Sequence, residues 1–183
     1  MNKLFTLTLP KNTHVVFFGH SIIMKGPRGT IAWSCLNLIR SKECYFVVKH
    51  NSITLCNKEN NASNRGWLTI HNGLKNMVYG IHYFYSKPLL FVGIGFRIWT
   101  KLTSSGPVLV AKVRFSKDLY IPIPEDVFVI PLNPNLLLIR GLSKETVNQF
   151  CSFVRSFKKP DKYKGKGIQY KNEILSLKPG KQN

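Results

Sequence analysis

Acidic residues are scarce: the 183-residue chain has eight Asp and Glu against 27 Lys and Arg, a formal net charge of +19. Glu43, Glu59, Asp118, Glu125, Asp126, Glu145, Asp161 and Glu173 are therefore all the carboxylates that a nuclease or RNA-modifying enzyme would have to work with. Only Glu125 and Asp126 are adjacent, and neighbours in a strand point to opposite faces, so the pair makes a poor two-metal site and reads as a turn. No nucleophile-plus-base set and no phosphate-cradling G-x-x-x-x-G-K is present, so the chain is not expected to be an enzyme. Cysteine pairing is missing too. Cys35, Cys44, Cys56 and Cys151 form no C-x-x-C, and the five histidines do not fall at zinc-ligand spacings. Reduced core thiols are expected, with no metal and no cofactor. No apolar run approaches the roughly 20 residues of a spanning helix, so no membrane span is expected. No cleavable presequence is expected either, because residues 4–9 already alternate as a strand. Asn61-Ala62-Ser63 matches a glycosylation acceptor but reads as part of a polar loop.

What is present is enough apolar material, 44% hydrophobic and 12% aromatic, for one domain or two small ones. A charge excess this large disfavours a compact free monomer through self-repulsion, so a polyanionic partner, nucleic acid, is expected.

The first 60 or so residues alternate in short apolar stretches that predict a small antiparallel sheet, including a hairpin closed around Gly19-His20. Lys25-Gly26-Pro27-Arg28-Gly29 predicts a turn, with a cationic tip reaching outward or simply a surface turn. Over residues 65–85 the apolar period lengthens towards 3.6, placing Trp67, Ile70, Leu74, Met77, Val78, Ile81 and Tyr85 on one helical face. Gly73 and Gly80 within it predict close packing against the sheet.

After Pro88 a second unit begins, so the expected domains are residues 1–86 and 87–183. Val92-Gly93-Ile94-Gly95-Phe96-Arg97 is flanked by β-formers on both sides, which predicts a bulged or bent strand rather than a dinucleotide loop. Another strand is expected over residues 108–115, with Lys112 and Arg114 on one face. The helix after Gly141 is the best specified element. Ser143 can cap it, Glu145 sits in its first turn, Val147, Phe150, Cys151, Val154 and Phe157 form a buried stripe, and Pro160 stops it. Leu9-Pro10 through Ile22-Ile23-Met24-Lys25-Gly26 parallels Ile123-Pro124 through Leu137-Leu138-Ile139-Arg140-Gly141, as two copies of one design would. The fold class expected is α+β, two similar tandem domains, each an antiparallel sheet with a packed helix.

The second helix delivers Pro160-Asp161-Lys162-Tyr163-Lys164-Gly165-Lys166-Gly167-Ile168-Gln169-Tyr170. Glycines between lysines let a backbone approach a surface closely, with amide N–H groups facing phosphates and ammonium groups neutralising them. A solvated basic terminus is the alternative. Tyr163, Ile168, Tyr170, Ile174, Leu175 and Leu177 argue for a docked arm, because ordering the segment would bury side chains that a solubilising tail does not need.

In order, Lys25-Gly26-Pro27-Arg28-Gly29, Asn76-Met77-Val78-Tyr79-Gly80-Ile81, the 92–97 segment, Phe115-Ser116, Ile123-Pro124 and Tyr163-Lys164-Gly165-Lys166-Gly167-Ile168 with Tyr170 and Glu173 resemble the bacterial-type large-subunit ribosomal protein six family. The resemblance implies a non-catalytic protein of the large ribosomal subunit. It would bind large-subunit ribosomal RNA near the base of the factor-binding stalk, with other ribosomal proteins as neighbours and translational GTPases close by. It places the main RNA contact in the second domain and the 163–168 motif. The expected RNA-binding residues are Arg97, Arg155, Lys158, Lys159, Lys162, Tyr163, Lys164, Gly165, Lys166, Gly167, Tyr170, Lys171, Lys178 and Lys181. Three departures stand out: Asn12-Thr13 where a glycine-valine pair is usual, Arg114 in place of a glycine, and Lys117-Asp118 in place of His-Pro. The near absence of alanine (Ala32, Ala62, Ala111) beside abundant Lys, Asn, Ile and Phe is the bias of AT-rich coding. A mitochondrial ribosome is therefore expected, with a plastid or bacterial one as the alternative.

Overall fold

The computed structural model describes residues 2–18, 21–34, 44–49, 52–57 and 65–180. Lys181, the Gly19-His20 turn, Cys35, Glu43, Glu59 and the 61–63 acceptor pattern lie outside them. The fold is α+β, and the chain divides into two compact units, Met1–Phe84 and Tyr85–Asn183.

The first unit contains β1 (Asn2–Thr8), β2 (His14–Phe18), β3 (Ser21–Gly26), β4 (Gly29–Ser34), β5 (Cys44–Lys49), β6 (Ser52–Asn57) and α1 (Arg65–Tyr83). The strands form two antiparallel sheets, β1-β6-β5 and β2-β3-β4. Alternation decides which residues face inward: Ile22 and Met24 of β3 and Ile53 of β6 meet Ile70, Leu74, Met77 and Ile81 of α1 in one buried cluster. These are four of the seven residues expected on the helix face. Val78 packs at its margin, while Tyr85 belongs to the next strand because the helix ends at Tyr83. Gly73 is required by packing, since a Cβ there would lie 2.6 Å from the Trp33 ring.

The Lys25–Gly29 turn is exposed, but its arginine does not point freely outward. Arg28 folds back on the end of α1, where its amide donates to the Ile81 carbonyl at 3.1 Å and its Nε to the His82 carbonyl at 2.8 Å. Its guanidinium also lies 4.9 Å from the centroid of the Phe84 ring. Carbonyls of a helix's last turn have no partner within the helix and carry the negative end of its dipole, so a cation there is stabilising. Arg28→Ala is expected to destabilise the first unit by about 1 to 2 kcal/mol, read as earlier loss of hydrogen-exchange protection along α1 in urea.

The second unit contains β7 (Tyr85–Val92), β8 (Arg97–Thr103), β9 (Gly106–Lys112), β10 (Leu119–Pro122), β11 (Val127–Asn133), β12 (Leu136–Gly141), α2 (Lys144–Ser156) and β13 (Gly167–Tyr170). They build a three-stranded sheet, β10-β9-β8, and a four-stranded one, β11-β12-β7-β13, again antiparallel. Both sheets and α2 share one core, in which Leu89, Phe91, Leu109, Leu137 and Ile139 meet Val147, Phe150, Cys151 and Val154. Burial pushes the Cys151 thiol up to about 11, which makes it a poor nucleophile; Cys56 is likewise buried and free. Glu125 and Asp126 occupy an exposed turn closed by Val127 N–H on the Pro124 carbonyl at 3.1 Å.

Two expectations fail in this unit. Residues 93–96 are not a bent strand but a turn: β7 ends at Val92, and β8 begins at Arg97 in the other sheet. Gly95 at φ 78° supplies the left-handed residue that such a reversal needs. The strand expected to run to residue 115 stops at Lys112, because Arg114 at φ 58° breaks it, so Lys112 and Arg114 share no strand face. Asn12, at φ 67°, is also left-handed. Asn12 and Arg114 are two of the positions where glycine is usual in the resembling family, which is the residue that tolerates this conformation.

The pairing clarifies the internal similarity. Replacing β1 to β6 by β7 to β12 in order converts the sheets of the first unit into β7-β12-β11 and β8-β9-β10, the pairings of the second, and each set of six strands is followed by its helix. The units are one design repeated in register, to which the second adds β13, while the look-alike segments 9–26 and 123–141 sit at β1–β3 and β10–β12 and are not equivalent in that register. The repeated glycine has the same job in both. A Cβ at Gly26 would lie 2.8 Å from Ile81 of α1, and one at Gly141 would lie 2.7 Å from Val147 of α2.

Candidate nucleic-acid interface

The helix α2 starts where its sequence requires. Ser143, in extended conformation, accepts from the Thr146 amide at 3.4 Å, and Glu145 sits in the positive first turn. Its stripe of Val147, Phe150, Cys151 and Val154 is buried, with Phe157 packed at the margin, so the orientation of its C-terminal end is set by the core.

From there the arm folds back onto the sheet. Ile168 N–H donates to the Lys158 carbonyl at 2.8 Å, and residues 167–170 pair with β7 as strand β13. Ile168 is buried in the core cluster. The crossing is tight: a Cβ on Gly167, at φ 151°, would lie 2.6 Å from Pro160 Cα and 2.7 Å from the Lys159 carbonyl oxygen. Docking is thus a property of the backbone. It does not extend to every apolar side chain expected to be buried, since Ile174 is 97% exposed and Tyr163 and Leu177 are largely exposed.

Asp161 organises the loop between helix and strand. Its carboxylate accepts from the amides of Tyr163 and Lys164, each at 3.4 Å. Its carbonyl accepts from Gly165 N–H at 3.0 Å, and its own amide donates to the Lys166 carbonyl at 2.9 Å. Gly165, at φ 65°, completes the turn. The amides of Tyr163, Lys164 and Gly165 are therefore bonded within the loop, and the lysine ammonium groups are left to meet an anion. Lys178 N–H donates to the Lys162 carbonyl at 2.9 Å, which ties the following segment back over the arm.

Beyond β13, Glu173 acts as a latch. Its carboxylate accepts from the Arg155 guanidinium and from the Tyr170 amide, the latter at 3.2 Å. Tyr170 lies under two cations, Lys87 Nζ at 4.9 Å and the Arg155 guanidinium at 5.3 Å from the ring centroid. Its hydroxyl is pushed up, mainly by burial. Arg155 and Tyr170 were expected to touch RNA, but the structure engages both in holding the arm. Glu173→Gln is expected to cost about 1.5 to 3 kcal/mol, the worth of a hydrogen bond to a charged group, seen as a lower midpoint in urea and faster exchange at residues 168–173.

Beside this loop opens a groove of about 890 Å³. Its cations are Arg114, Lys158, Lys159, Lys164 and Lys166, set against the single carboxylate of Asp161. Phe96, Phe115 and Phe157 form its apolar wall. Four of the expected RNA-binding lysines, Lys158, Lys159, Lys164 and Lys166, are thus brought together. Lys162 and Tyr163 are exposed in the same loop, and Gly165 and Gly167 shape the backbone without presenting a surface. Lys171 and Lys178 are exposed beyond β13, and Arg97 is exposed at the start of β8; none of the three lines the groove. Arg114 and Phe115 also line the groove and were not among the expected binding residues. Their sequence signals were the match of Phe115-Ser116 to a family motif and the departure of Arg114 from a family glycine. Asp161 was missed as the organiser, although an Asp after Pro is a residue whose side chain commonly bonds the backbone amide two residues on.

No family model matches the chain. Curated relatives do. It is 32% identical over 180 residues to the large ribosomal subunit protein uL6m of Reclinomonas americana, a match covering 96% of this chain and 95% of that one. It is 31% identical over 179 residues to uL6 of Chlamydia felis, covering 96% and 92%, and 30% identical over 177 residues to uL6 of Levilactobacillus brevis, covering 96% and 94%. Identity at this level along nearly the full length of each protein shows that the chain belongs to the uL6 family, a family of large-subunit ribosomal proteins and not of enzymes.

Proposed function

We propose that the second unit binds large-subunit ribosomal RNA through the groove between the end of α2 and the docked arm, seating the chain near the base of the factor-binding stalk. Translational GTPases would then act close by, with other large-subunit proteins as neighbours. The observation that carries this reading is the convergence of five cations on a groove with a single carboxylate and an aromatic wall. Phosphate neutralisation supplies most of the affinity in such an interface, and fixed cations also set the register on the RNA. The seat near the stalk rests on family membership. The ribosome is read as mitochondrial from the coding bias; bacterial and mitochondrial relatives are about equally similar, so similarity does not decide it.

Sedimentation of large subunits through a high-salt gradient tests the proposal. An integral subunit protein stays with the subunit after salt has removed loosely held factors, and crosslinks from Lys164 and Lys166 fall on stalk-base RNA. Release into the light fractions would instead identify a free RNA-binding maturation factor.

A further inference from the structure

The groove has one feature that phosphate binding does not explain. Phe115 is 43% exposed, at the rim of a basic cleft where an aliphatic or polar side chain would serve solubility better. Lys158 Nζ lies 5.4 Å from its ring centroid. The preceding residue, Arg114, is held at φ 58°, a conformation that side chains other than glycine and asparagine seldom adopt. The strain falls where it places a guanidinium on the groove and an aromatic ring beside it.

We propose that this corner of the groove takes an unpaired nucleotide of the RNA, its base stacked on Phe115 and its flanking phosphates held by Arg114 and Lys158. This rests on the RNA-binding reading above and goes further, because it specifies a looped or bulged strand. An A-form duplex offers phosphates and a shallow minor groove but keeps its base faces stacked on one another. An unpaired nucleotide offers a free base face together with its phosphate, which is the pair of chemistries assembled here. Charge complementarity alone would be met by the lysines and would need no exposed ring beyond its contact with Lys158.

The test uses the full chain and two probes, a 12-nucleotide oligo(U) with one central 2-aminopurine and a 12-base-pair RNA duplex, titrated at several salt concentrations. Stacking predicts quenching of the 2-aminopurine on binding to the unaltered protein. Phe115→Leu should weaken binding of the single strand roughly 5- to 150-fold with an unchanged salt slope, and leave duplex binding alone. Arg114→Gly should shallow the single-strand slope by about 0.7 while raising the thermal midpoint, since it relieves the left-handed strain. Absence of quenching, or equal effects of Phe115→Leu on both probes, overturns the nucleotide site while RNA binding stands. Failure of the unaltered chain to bind either probe overturns both readings.

Discussion

Phe150→Ala is expected to destabilise the second unit by about 3 to 5 kcal/mol, because removing a buried ring from a close-packed core loses transfer energy and leaves a cavity. The side chain is 5% exposed and sits in the cluster joining α2 to both sheets of its unit. The loss should appear as reduced hydrogen-exchange protection throughout α2 and β12. Lys159→Ala, at an exposed groove position, should leave that protection within about 0.5 kcal/mol of the parent and weaken RNA binding. Equal losses in the two variants would mean that the buried face of α2 has been placed wrongly.

Gly167→Val should be nearly as damaging, for a different reason. The atoms its Cβ would strike, at 2.6 to 2.7 Å, belong to the backbone of Lys159 and Pro160, so no rotamer change relieves the overlap. Overpacking and backbone strain together amount to about 2 to 6 kcal/mol. Release of β13 from β7 is the expected response. Gly165 is a control within the same loop. It is left-handed at φ 65°, yet the nearest atoms to a Cβ there, on Leu177 and Leu175, are 3.6 and 3.7 Å away. Gly165→Val should therefore cost only the conformational strain, about 1 to 2 kcal/mol. Exchange rates of the Ile168 and Gln169 amides would rank the two variants, and the reverse order would contradict a docking fixed at Gly167.

These contrasts separate what the sequence made legible from what it did not. The limits and buried stripe of α2 were readable because capping, dipole and period are local, and Ser143, Phe150 and Pro160 each carry their own signal. The docked arm was readable from apolar residues where a solvated tail would have none, although only Ile168 is fully buried. The 93–96 segment was misread because a strand and a turn between two sheets have the same flanks; the difference lies in which strands pair. The three-strand offset between the look-alike segments and the repeated strand order is invisible for the same reason. The groove was half legible. Its lysines are clustered in sequence, whereas Phe96, Arg114 and Phe115 reach it from β-sheet connections some 40 to 70 positions earlier in the chain. Arg28 shows the limit of reading charge alone: a cation in a turn looked available for a partner, but the end of α1 holds it.

The central claim is that RNA is bound by a particular set of cations and not by the net charge of +19. Two triple variants of the full chain carry equal charge loss: Lys158, Lys164 and Lys166 to Gln in one, and Lys11, Lys75 and Lys101 to Gln in the other. All three lysines of the second set are exposed and outside the groove. Their affinities for the stalk-base fragment of large-subunit ribosomal RNA, titrated across salt, decide the matter. The groove variant is predicted to lose about 2 to 2.7 from the slope of log affinity against log salt, three phosphates' worth, with the other variant close to the parent. Equal losses in slope and affinity for the two would contradict the account and reduce the interaction to bulk charge.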